Sequence, residues 1–195
     1  MRRTQGFSLI ELLIVVAIIG LTAGVATPHA QSLRRRAAVR ATVAEIRAMF
    51  RAARSRAVTR SANAGVKFTQ GARDWQFAIY DDGDGDGVRT DDIKSGIDRR
   101  ATKSRNVSPD PELASVALPS IVAVDPDGAP MKSGASPVQF GSSKICSFSA
   151  MGQATSGTIY LADSGGEAWC VRVFGGSGRV RLLRYDAKRR RWENH

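Results

Sequence analysis

Hydrophobic residues are concentrated at the start of the chain, where they form one long uninterrupted run. Residues 7–26 are twenty in number, and Glu11 carries the only charge among them. At about 1.5 Å per residue, a helix of this length spans the ~30 Å hydrocarbon core of a bilayer. The pattern therefore predicts a transmembrane helix over residues 7–27. A lone carboxylate inside it costs on the order of 3 kcal/mol, which makes Glu11 a candidate functional residue in need of a partner.

The segment after Pro28 has the periodicity of an amphipathic helix. Apolar residues recur there at spacings of three and four, which marks one helical face. These residues are Val39, Val43, Ile46, Phe50, Ala53 and Ala57. The sequence predicts that the first helix continues over residues 28–64. Pro28 is expected to bend it, because it lacks the N–H of a helical hydrogen bond, and Gly65 is expected to lie near its end.

A second face of this segment is strongly basic. Nine arginines between Arg34 and Arg60 are accompanied by a single acid, Glu45. Four of them share a face different from the apolar one: Arg40, Arg47, Arg51 and Arg54. The basic band has two interpretations. In the first, it contacts anionic lipid headgroups or an acidic partner. In the second, it is a solvated helix face whose long side chains cover apolar surface.

From residue 65 onward the chain is built of short runs typical of β-strands, separated by turn residues. Residues 66–68 and 75–80 flank a turn at Gln70 and Gly71 and predict a hairpin. Further strands are predicted at residues 121–124, 138–140, 145–149, 157–161, 168–174 and 179–185. A long helix followed by antiparallel strands predicts an α+β fold. The β-rich domain covers residues 65–185, and residues 186–195 form a basic C-terminal tail.

The N-terminal residues resemble a known processing signal. Gly6 is followed by Phe7, with Glu11 five residues after Gly6 and an apolar run behind it. This arrangement resembles the type III signal of type IV pilins and type II secretion pseudopilins. The resemblance implies that a prepilin peptidase removes residues 1–6 as a leader and methylates the new amino group of Phe7. It also implies that the Glu11 carboxylate meets the Phe7 amine of a neighbouring subunit during filament assembly.

Two simpler kinds of segment compete with this resemblance at the N-terminus. A secretory signal peptide would account for Arg2, Arg3 and an apolar core, but not for Glu11 or for a run of twenty residues. A plain single-span anchor would account for the length and leave Glu11 without a role.

Three runs in the last third of the chain resemble the C-terminal half of the GspH/FimT branch of pseudopilins. They lie at residues 148–152, 156–161 and 178–181. The branch implies a long helix packed against two β-sheets, one span in the inner membrane and a domain in the periplasm. Its partners would be other major and minor pseudopilins. The implied function is that of a minor pseudopilin in a type II secretion system. The alternative is a FimT-like minor pilin that binds DNA for uptake.

An acidic stretch after the predicted hairpin resembles the first half of a calcium-binding loop. Asp82, Asp84 and Asp86 occupy loop positions one, three and five, and Gly87 occupies position six. Position twelve is Ile93, so Asp91 or the adjacent Asp92 would have to supply the missing carboxylate. The alternative is an acidic turn between strands, because Asp and Gly are common turn residues.

The run Gly178-Arg179-Val180-Arg181 is a candidate DNA-binding element. In a strand, Arg179 and Arg181 point to the same face, and Arg guanidinium groups match phosphate oxygens. In FimT-type minor pilins a Gly-Arg-x-Arg element is implicated in DNA binding, and that role is carried over to Gly178, Arg179 and Arg181 only. The basic tail and Trp192 would add attraction and a stacking surface. The alternative is a hairpin with solvated arginines.

Charge, cysteines and histidines limit the remaining functions. The formal net charge is +11, or +9 without Arg2 and Arg3, which permits contact with DNA, anionic lipid or acidic partners. Cys146 and Cys170 either form a disulfide outside the cytoplasm or remain buried thiols. The two histidines lie at positions 29 and 195, and no catalytic set or zinc spacing can be built from them. The chain is expected not to be an enzyme.

Overall fold

The structure, a computed structural model, describes residues 8–194 and the side chains of all of these except residues 23–29. Its elements in chain order are α1 (Leu9–Arg60), β1 (Ala64–Gln70), β2 (Trp75–Asp81), α2 (Thr90–Ser95), β3 (Arg99–Arg100), β4 (Arg105–Asn106), β5 (Ala114–Ser115), β6 (Val138–Gln139), β7 (Ile145–Phe148), β8 (Gly157–Asp163), β9 (Ala168–Phe174), β10 (Arg179–Asp186) and β11 (Arg191–Asn194). The predicted α+β class with two sheets is confirmed.

The 52-residue helix α1 remains helical through Pro28, so its two predicted parts form one element. It ends at Arg60, earlier than predicted. Ser61 adopts a left-handed conformation with φ of 50° and closes the last turn by donating its N–H to the carbonyl of Val58. Gly65 is therefore not the helix terminator. It lies inside β1, where an added Cβ would sit 2.8 Å from the Cβ of Val88.

The first sheet has the strand order β3-β2-β1-β7, with β4 also paired to β2. The predicted hairpin is confirmed. β1 and β2 are antiparallel, and their register runs from Ala64 opposite Asp81 to Gln70 opposite Trp75. The unpredicted helix α2 begins inside the acidic loop, residues 82–92, which follows β2, and it contains Asp91 and Asp92.

The second sheet has the order β11-β10-β9-β8-β5, with β6 also paired to β8. The strand β9 has the predicted bounds. The predicted C-terminal tail, residues 186–195, contains a strand that was not predicted. This strand, β11, pairs with β10, and Trp192 lies opposite Tyr185. Part of the supposed tail is thus an outer strand of the sheet.

The apolar face of α1 forms one core with both sheets. Phe50 lies in the middle of it, with ring centroids 6.3 Å from Phe68, 6.0 Å from Phe140 and 5.9 Å from Phe148. The apolar positions that the helical periodicity identified are all buried. Burial of a large aromatic side chain contributes about 2–3 kcal/mol, so this face holds α1 against the domain.

The strand predicted at residues 121–124 is not formed. Val124 makes one isolated bridge to Pro130, and the rest of the run is loop. The loop is anchored from the second sheet instead. The hydroxyl of Tyr185 accepts a hydrogen bond from the N–H of Ala123 at 3.1 Å, and Nε1 of Trp192 donates to the carbonyl of Val124 at 2.8 Å.

Candidate functional site

The first part of α1 exposes an apolar surface that the domain does not cover. Ten large apolar side chains there are between 44% and 78% exposed. They are Leu9, Ile10, Leu12, Leu13, Ile14, Val15, Val16, Ile18, Ile19 and Leu21. Glu11 is exposed in their midst and lies in the first turn of the helix. A surface of this kind marks contact with other proteins or with a membrane.

Two predicted processing residues, Gly6 and Phe7, lie outside the described residues. Cleavage, methylation and the pairing of Glu11 therefore stay predictions. Within the part of the chain that the structure describes, no helix combines the length and apolar character needed to cross a membrane.

A cleft lies between α1 and the turn that joins β9 to β10, and we call it the arginine cleft. Its volume is about 310 Å³. It is lined by Arg47, Phe50, Arg51, Arg54, Phe148, Gly178, Arg179 and Val180. Three of its arginines come from the helix and one from the hairpin. The fold thus joins the basic face of α1 to the Gly-Arg-x-Arg element, which the sequence presented as two separate features.

The geometry of an α-helix explains why the helix arginines converge. At 3.6 residues per turn, five of them fall within an arc of about 60° and extend over about 27 Å of axis. This arginine stripe consists of Arg36, Arg40, Arg47, Arg51 and Arg54. Two smaller cavities of about 280 and 120 Å³ extend from the arginine cleft along α1, between the arginine stripe and Leu182 of β10.

Backbone conformation lets the walls of the cleft approach each other. Gly178 has φ of 61°, and its N–H donates to the carbonyl of Phe174 at 2.8 Å. An added Cβ on Gly178 would lie 2.8 Å from the carbonyl oxygen of Gly152. Gly152 has φ of 79°, and a Cβ there would lie 2.8 Å from Nη2 of Arg54. Gly178 is thus required by a backbone contact as well as by its left-handed conformation, whereas Gly152 is required by its left-handed conformation, since the Arg54 side chain could move aside.

The structure places the two arginines of the Gly-Arg-x-Arg element differently. The regular pairing of β10 puts Arg179 and Arg181 on one face of the strand, as predicted. Arg179 lines the arginine cleft. Arg181 lies over the ring of Phe174, with Cζ 5.3 Å from the ring centroid, and is paired across the strands with Arg172.

The arginine cleft is not neutralised by carboxylates within residues 8–194. The ion pairs formed there by arginines of α1 involve Arg56 and Arg60 with Asp81, and Glu45 of the helix pairs with Arg105. Helical geometry puts Glu45, Arg56 and Arg60 on the side of α1 opposite the arginine stripe. The cleft is therefore an uncompensated basic site with an apolar floor, suited to an anionic group on an organic or protein partner.

The acidic loop, residues 82–92, is organised by Asp82. Its carboxylate accepts hydrogen bonds from the N–H groups of Asp84 at 3.2 Å, Gly85 at 2.8 Å and Gly87 at 2.9 Å. Asn63 donates a further bond at 2.6 Å. Desolvation of the carboxylate tends to raise the pKa of Asp82. The four hydrogen bonds together outweigh it, so the pKa is lowered.

The geometry of the acidic loop agrees with three of the four predicted calcium ligands. The ligand atoms of Asp82, Asp84 and Asp86 all lie within 4.8 Å of one another. Gly87, the sixth loop residue, has φ of 97°. Asp86 forms an ion pair with Arg89. Desolvation raises the pKa of Asp86, and the charge of Asp84 raises it further against the opposing charge of Arg89.

The structure does not place Asp91 with the other predicted ligands. Its carboxylate pairs with Lys94 at 3.0 Å on the exposed helix α2. Sequence reasoning also missed Asp98, which is 2% exposed. Asp98 accepts hydrogen bonds from the N–H of Gly83 at 3.1 Å and from that of Arg89 at 2.8 Å. No sequence pattern identifies Asp98, because its partners come from a loop closed by the fold.

The two cysteines are separate buried thiols, which was one of the two predicted states. Cys146 belongs to β7 of the first sheet and Cys170 to β9 of the second. The alternative, a bridge between them, is not formed in the structure. Burial raises the pKa of both thiols, so both are protonated at neutral pH.

A long helix with an exposed apolar end, packed against two antiparallel sheets, defines the class of type IV pilin-like proteins. Comparison with known families agrees. The prokaryotic N-terminal methylation motif matches residues 1–27, and the family described as Type II transport protein GspH matches residues 42–177. The chain belongs to this GspH family. The family consists of structural pilin and pseudopilin subunits and is not an enzyme family.

Two fimbrial proteins of Pseudomonas aeruginosa are also similar to the chain. Each is 47% identical to it over 55 residues, which is 28% of this chain and 36% of the relative. The chain thus covers little more than a third of the length of these relatives. No solved structure matches the chain.

Proposed function

We propose that the protein is a minor pseudopilin of a type II secretion system. It would be anchored in the inner membrane by its N-terminal helix, with the β-rich domain in the periplasm. A prepilin peptidase would cut after Gly6, and the mature subunit would join other pseudopilins in a short pseudopilus that exports folded proteins. The exposed apolar part of α1, with Glu11 as its single acid, carries this proposal.

Physical chemistry supports assembly through this helix. Ten exposed apolar side chains need a nonpolar environment, which a bilayer supplies before assembly and neighbouring helices supply after it. Glu11 then has to find a cationic partner in the same environment. The N-terminal amine of a neighbouring subunit would meet that need.

The test is complementation of a strain that lacks the gene, with secretion of folded exoproteins as the readout. Gly6→Val should leave the uncleaved precursor on a gel and abolish secretion, while Gln5→Ala should be processed and secrete normally. Glu11→Gln should be processed normally but fail in secretion. Normal secretion by a Glu11→Gln strain would contradict the assembly role of the carboxylate.

The arginine cleft favours a second candidate function, that of a FimT-like minor pilin that binds DNA for uptake. Arg179 and the three helix arginines that line the cleft have no carboxylate partner among the described residues, and phosphate groups would supply the missing negative charge. DNA uptake would use the same pilin-like fold as protein export, and only the transported molecule would differ.

A salt titration of DNA binding by the full chain in non-ionic detergent separates these functions. Arg179→Ala/Arg181→Ala is compared with Lys188→Ala/Arg190→Ala, which removes the same number of charges from exposed residues of the C-terminal segment. Selective loss in the first variant, together with loss of transformation in the deletion strain, would favour DNA uptake. Equal, small losses that vanish at physiological salt would indicate nonspecific attraction and leave export as the function.

A further inference from the structure

We propose that the arginine cleft of one copy binds the acidic loop of a second copy, so that copies of this chain associate head to tail. This inference goes beyond the proposed export function, because it assigns a contact between copies of the chain. It competes with the DNA-binding candidate, because both would occupy the same arginines. It rests on two oppositely charged surfaces that cannot neutralise each other within one chain.

The first surface is a concentration of like charge. Arg47 and Arg51 are four residues apart on α1, and Arg51 and Arg54 are three apart, so each pair repels on the helix surface. Within residues 8–194 none of these three has an ion-pair partner. Arg179 adds a fourth positive charge from the hairpin. An anionic partner would turn this repulsion into attraction.

The apolar part of the arginine cleft that a partner could contact is Val180, which is half-buried. Phe50 and Phe148 form the base of the cleft and are only 2% and 1% exposed. Arginines next to apolar surface are typical of protein interfaces, in which guanidinium groups bind a carboxylate.

The second surface is the acidic loop, which carries more negative charge than its own cations neutralise. Asp86 pairs with Arg89, and Asp91 pairs with Lys94. Among the described residues, Asp84 and Asp92 have no ion-pair partner. Desolvation and the charges of Asp84 and Asp98 raise the pKa of Asp92, consistent with crowding of carboxylates. Asp84, Asp86 and Asp91 are exposed and Asp92 is half-buried, so this short segment presents several carboxylates to a compact cluster of four arginines.

The two surfaces lie on different sides and at different heights of the same chain. The acidic loop starts at the C-terminal end of α1, where the N–H of Asp82 donates to the carbonyl of Asn63. The cleft lies closer to the N-terminus of α1 than the acidic loop does. It is also on the side of the helix opposite Arg56 and Arg60, which pair with Asp81 at the end of β2. Arg51 and Arg60 differ by nine residues, or about 13 Å along the axis.

A contact between different surfaces of identical chains is heterologous, and repetition of it gives an open helical filament when successive copies are displaced along an axis rather than closed into a ring. Copies displaced along the helix axis by about this distance would bring the loop of one level with the cleft of the next. The high net charge does not prevent this, because at physiological salt the Debye length is about 8 Å and local complementarity dominates.

Disulfide trapping with the full chain in non-ionic detergent tests the contact directly. One tagged population carries Arg51→Cys and a second, differently tagged, carries Asp84→Cys. The native Cys146 and Cys170 are buried and do not compete. Mild oxidation should yield a mixed-tag dimer. The matched control replaces Asp84→Cys with Glu112→Cys, an exposed acid outside the loop, and should give at most a tenth of the yield.

Charge reversal provides a second readout without introduced cysteines. Arg51→Glu/Arg54→Glu and Asp84→Lys/Asp92→Lys should each weaken self-association, measured by sedimentation, at least tenfold. An equimolar mixture of the two variants should restore it, because the reversed charges are again complementary. Arg73→Glu/Lys103→Glu changes the net charge as much as the first variant does, at exposed sites outside the cleft, and should associate like the wild type.

Equal cross-linking yields with Asp84→Cys and Glu112→Cys would overturn the proposal. Wild-type association by both charge-reversal variants would overturn it as well. If Arg51→Glu/Arg54→Glu loses DNA binding while its self-association is unchanged, the cleft serves nucleic acid and the proposal is wrong. Failure of these tests leaves the secretion readout for Gly6 and Glu11 unaffected, so the two proposals fail separately.

Discussion

Arg56 and Asp81 join the last turns of α1 to the end of β2 through a two-point contact between a guanidinium group and a carboxylate. Nε of Arg56 bonds Oδ1 of Asp81, and Nη2 bonds Oδ2 at 2.7 Å. Arg60 adds a bond at 3.0 Å. The hydrogen bond from Arg56, followed by the charges of Arg56 and Arg60, lowers the pKa of Asp81 against its partial desolvation. The helix end is thereby tied to the first sheet.

We expect Asp81→Asn to destabilise the protein by about 1–2 kcal/mol at pH 7, because partly buried charge-assisted hydrogen bonds are lost. The folded pKa of Asp81 lies below its unfolded value, so this stability is present above the unfolded pKa, near 3.9, and is lost as pH falls through the folded pKa. Urea unfolding at pH 7 and pH 3 measures the difference. Glu112→Gln, at an exposed site, is the control, and a deficit that does not shrink at pH 3 would contradict the ion-pair account.

Gly178→Ala should destabilise the protein by about 2 kcal/mol, because a side chain at positive φ is strained and its Cβ approaches a carbonyl oxygen. The structure offers a matched control in the same turn. Gly176 does not have positive φ, and an added Cβ there would have no heavy atom within 4 Å. Gly176→Ala should therefore change the free energy of unfolding by less than about 0.5 kcal/mol. Thermal unfolding of the two variants checks this, and equal effects would mean that Gly178 is not structurally required.

Asp74→Ala should destabilise the protein by about 2–4 kcal/mol, because two buried N–H groups lose a charged acceptor. Asp74 is 7% exposed, and its carboxylate accepts from the N–H of Ser108 at 3.1 Å and from that of Val116 at 3.0 Å. Asp74→Asn keeps one acceptor oxygen and should cost about half as much. Urea unfolding at pH 7 measures both variants. If Asn and Ala substitutions have equal effects, the hydrogen bonds are not the cause.

Calcium binding stays a prediction for the acidic loop, with Asp82, Asp84 and Asp86 as ligands. A ligand that binds only the folded state at one hundred times its Kd stabilises it by about 2.7 kcal/mol. Millimolar Ca²⁺ should thus raise Tm relative to EDTA, and Asp84→Asn should reduce the rise. Mg²⁺ is the control for general charge screening, since it demands a tighter octahedral site. An unchanged Tm would remove calcium from the account.

Local patterns in the sequence predict the elements whose stability is mostly local or strictly periodic. The helical face from Val39 to Ala57 and the apolar strand at residues 168–174 are of this kind, and both are confirmed. The run at residues 121–124 has the composition of a strand, but apart from local loop contacts its backbone is bound by the side chains of Tyr185 and Trp192. No local pattern could show that these two residues replace a strand partner.

The sequence predicts the helical side of the arginine cleft but not the side formed by the β9–β10 turn. Helical periodicity brings Arg47, Arg51 and Arg54 together from sequence alone. The approach of Gly178 and Arg179 to them depends on how the β9–β10 turn packs against Gly152, which is far away in the chain. Buried Asp98 shows the same limit, because a polar residue satisfied by distant backbone groups has the same local sequence as an exposed one.

The strand β11 makes the C-terminus a structural part of the sheet. Arg189, Arg190 and Arg191 give this region the composition of a disordered tail, yet Trp192 packs with its ring centroid 5.7 Å from that of Tyr160 and 5.1 Å from that of Tyr185. A protease that trimmed the last residues would expose the backbone edge of β10 and create a template for aggregation.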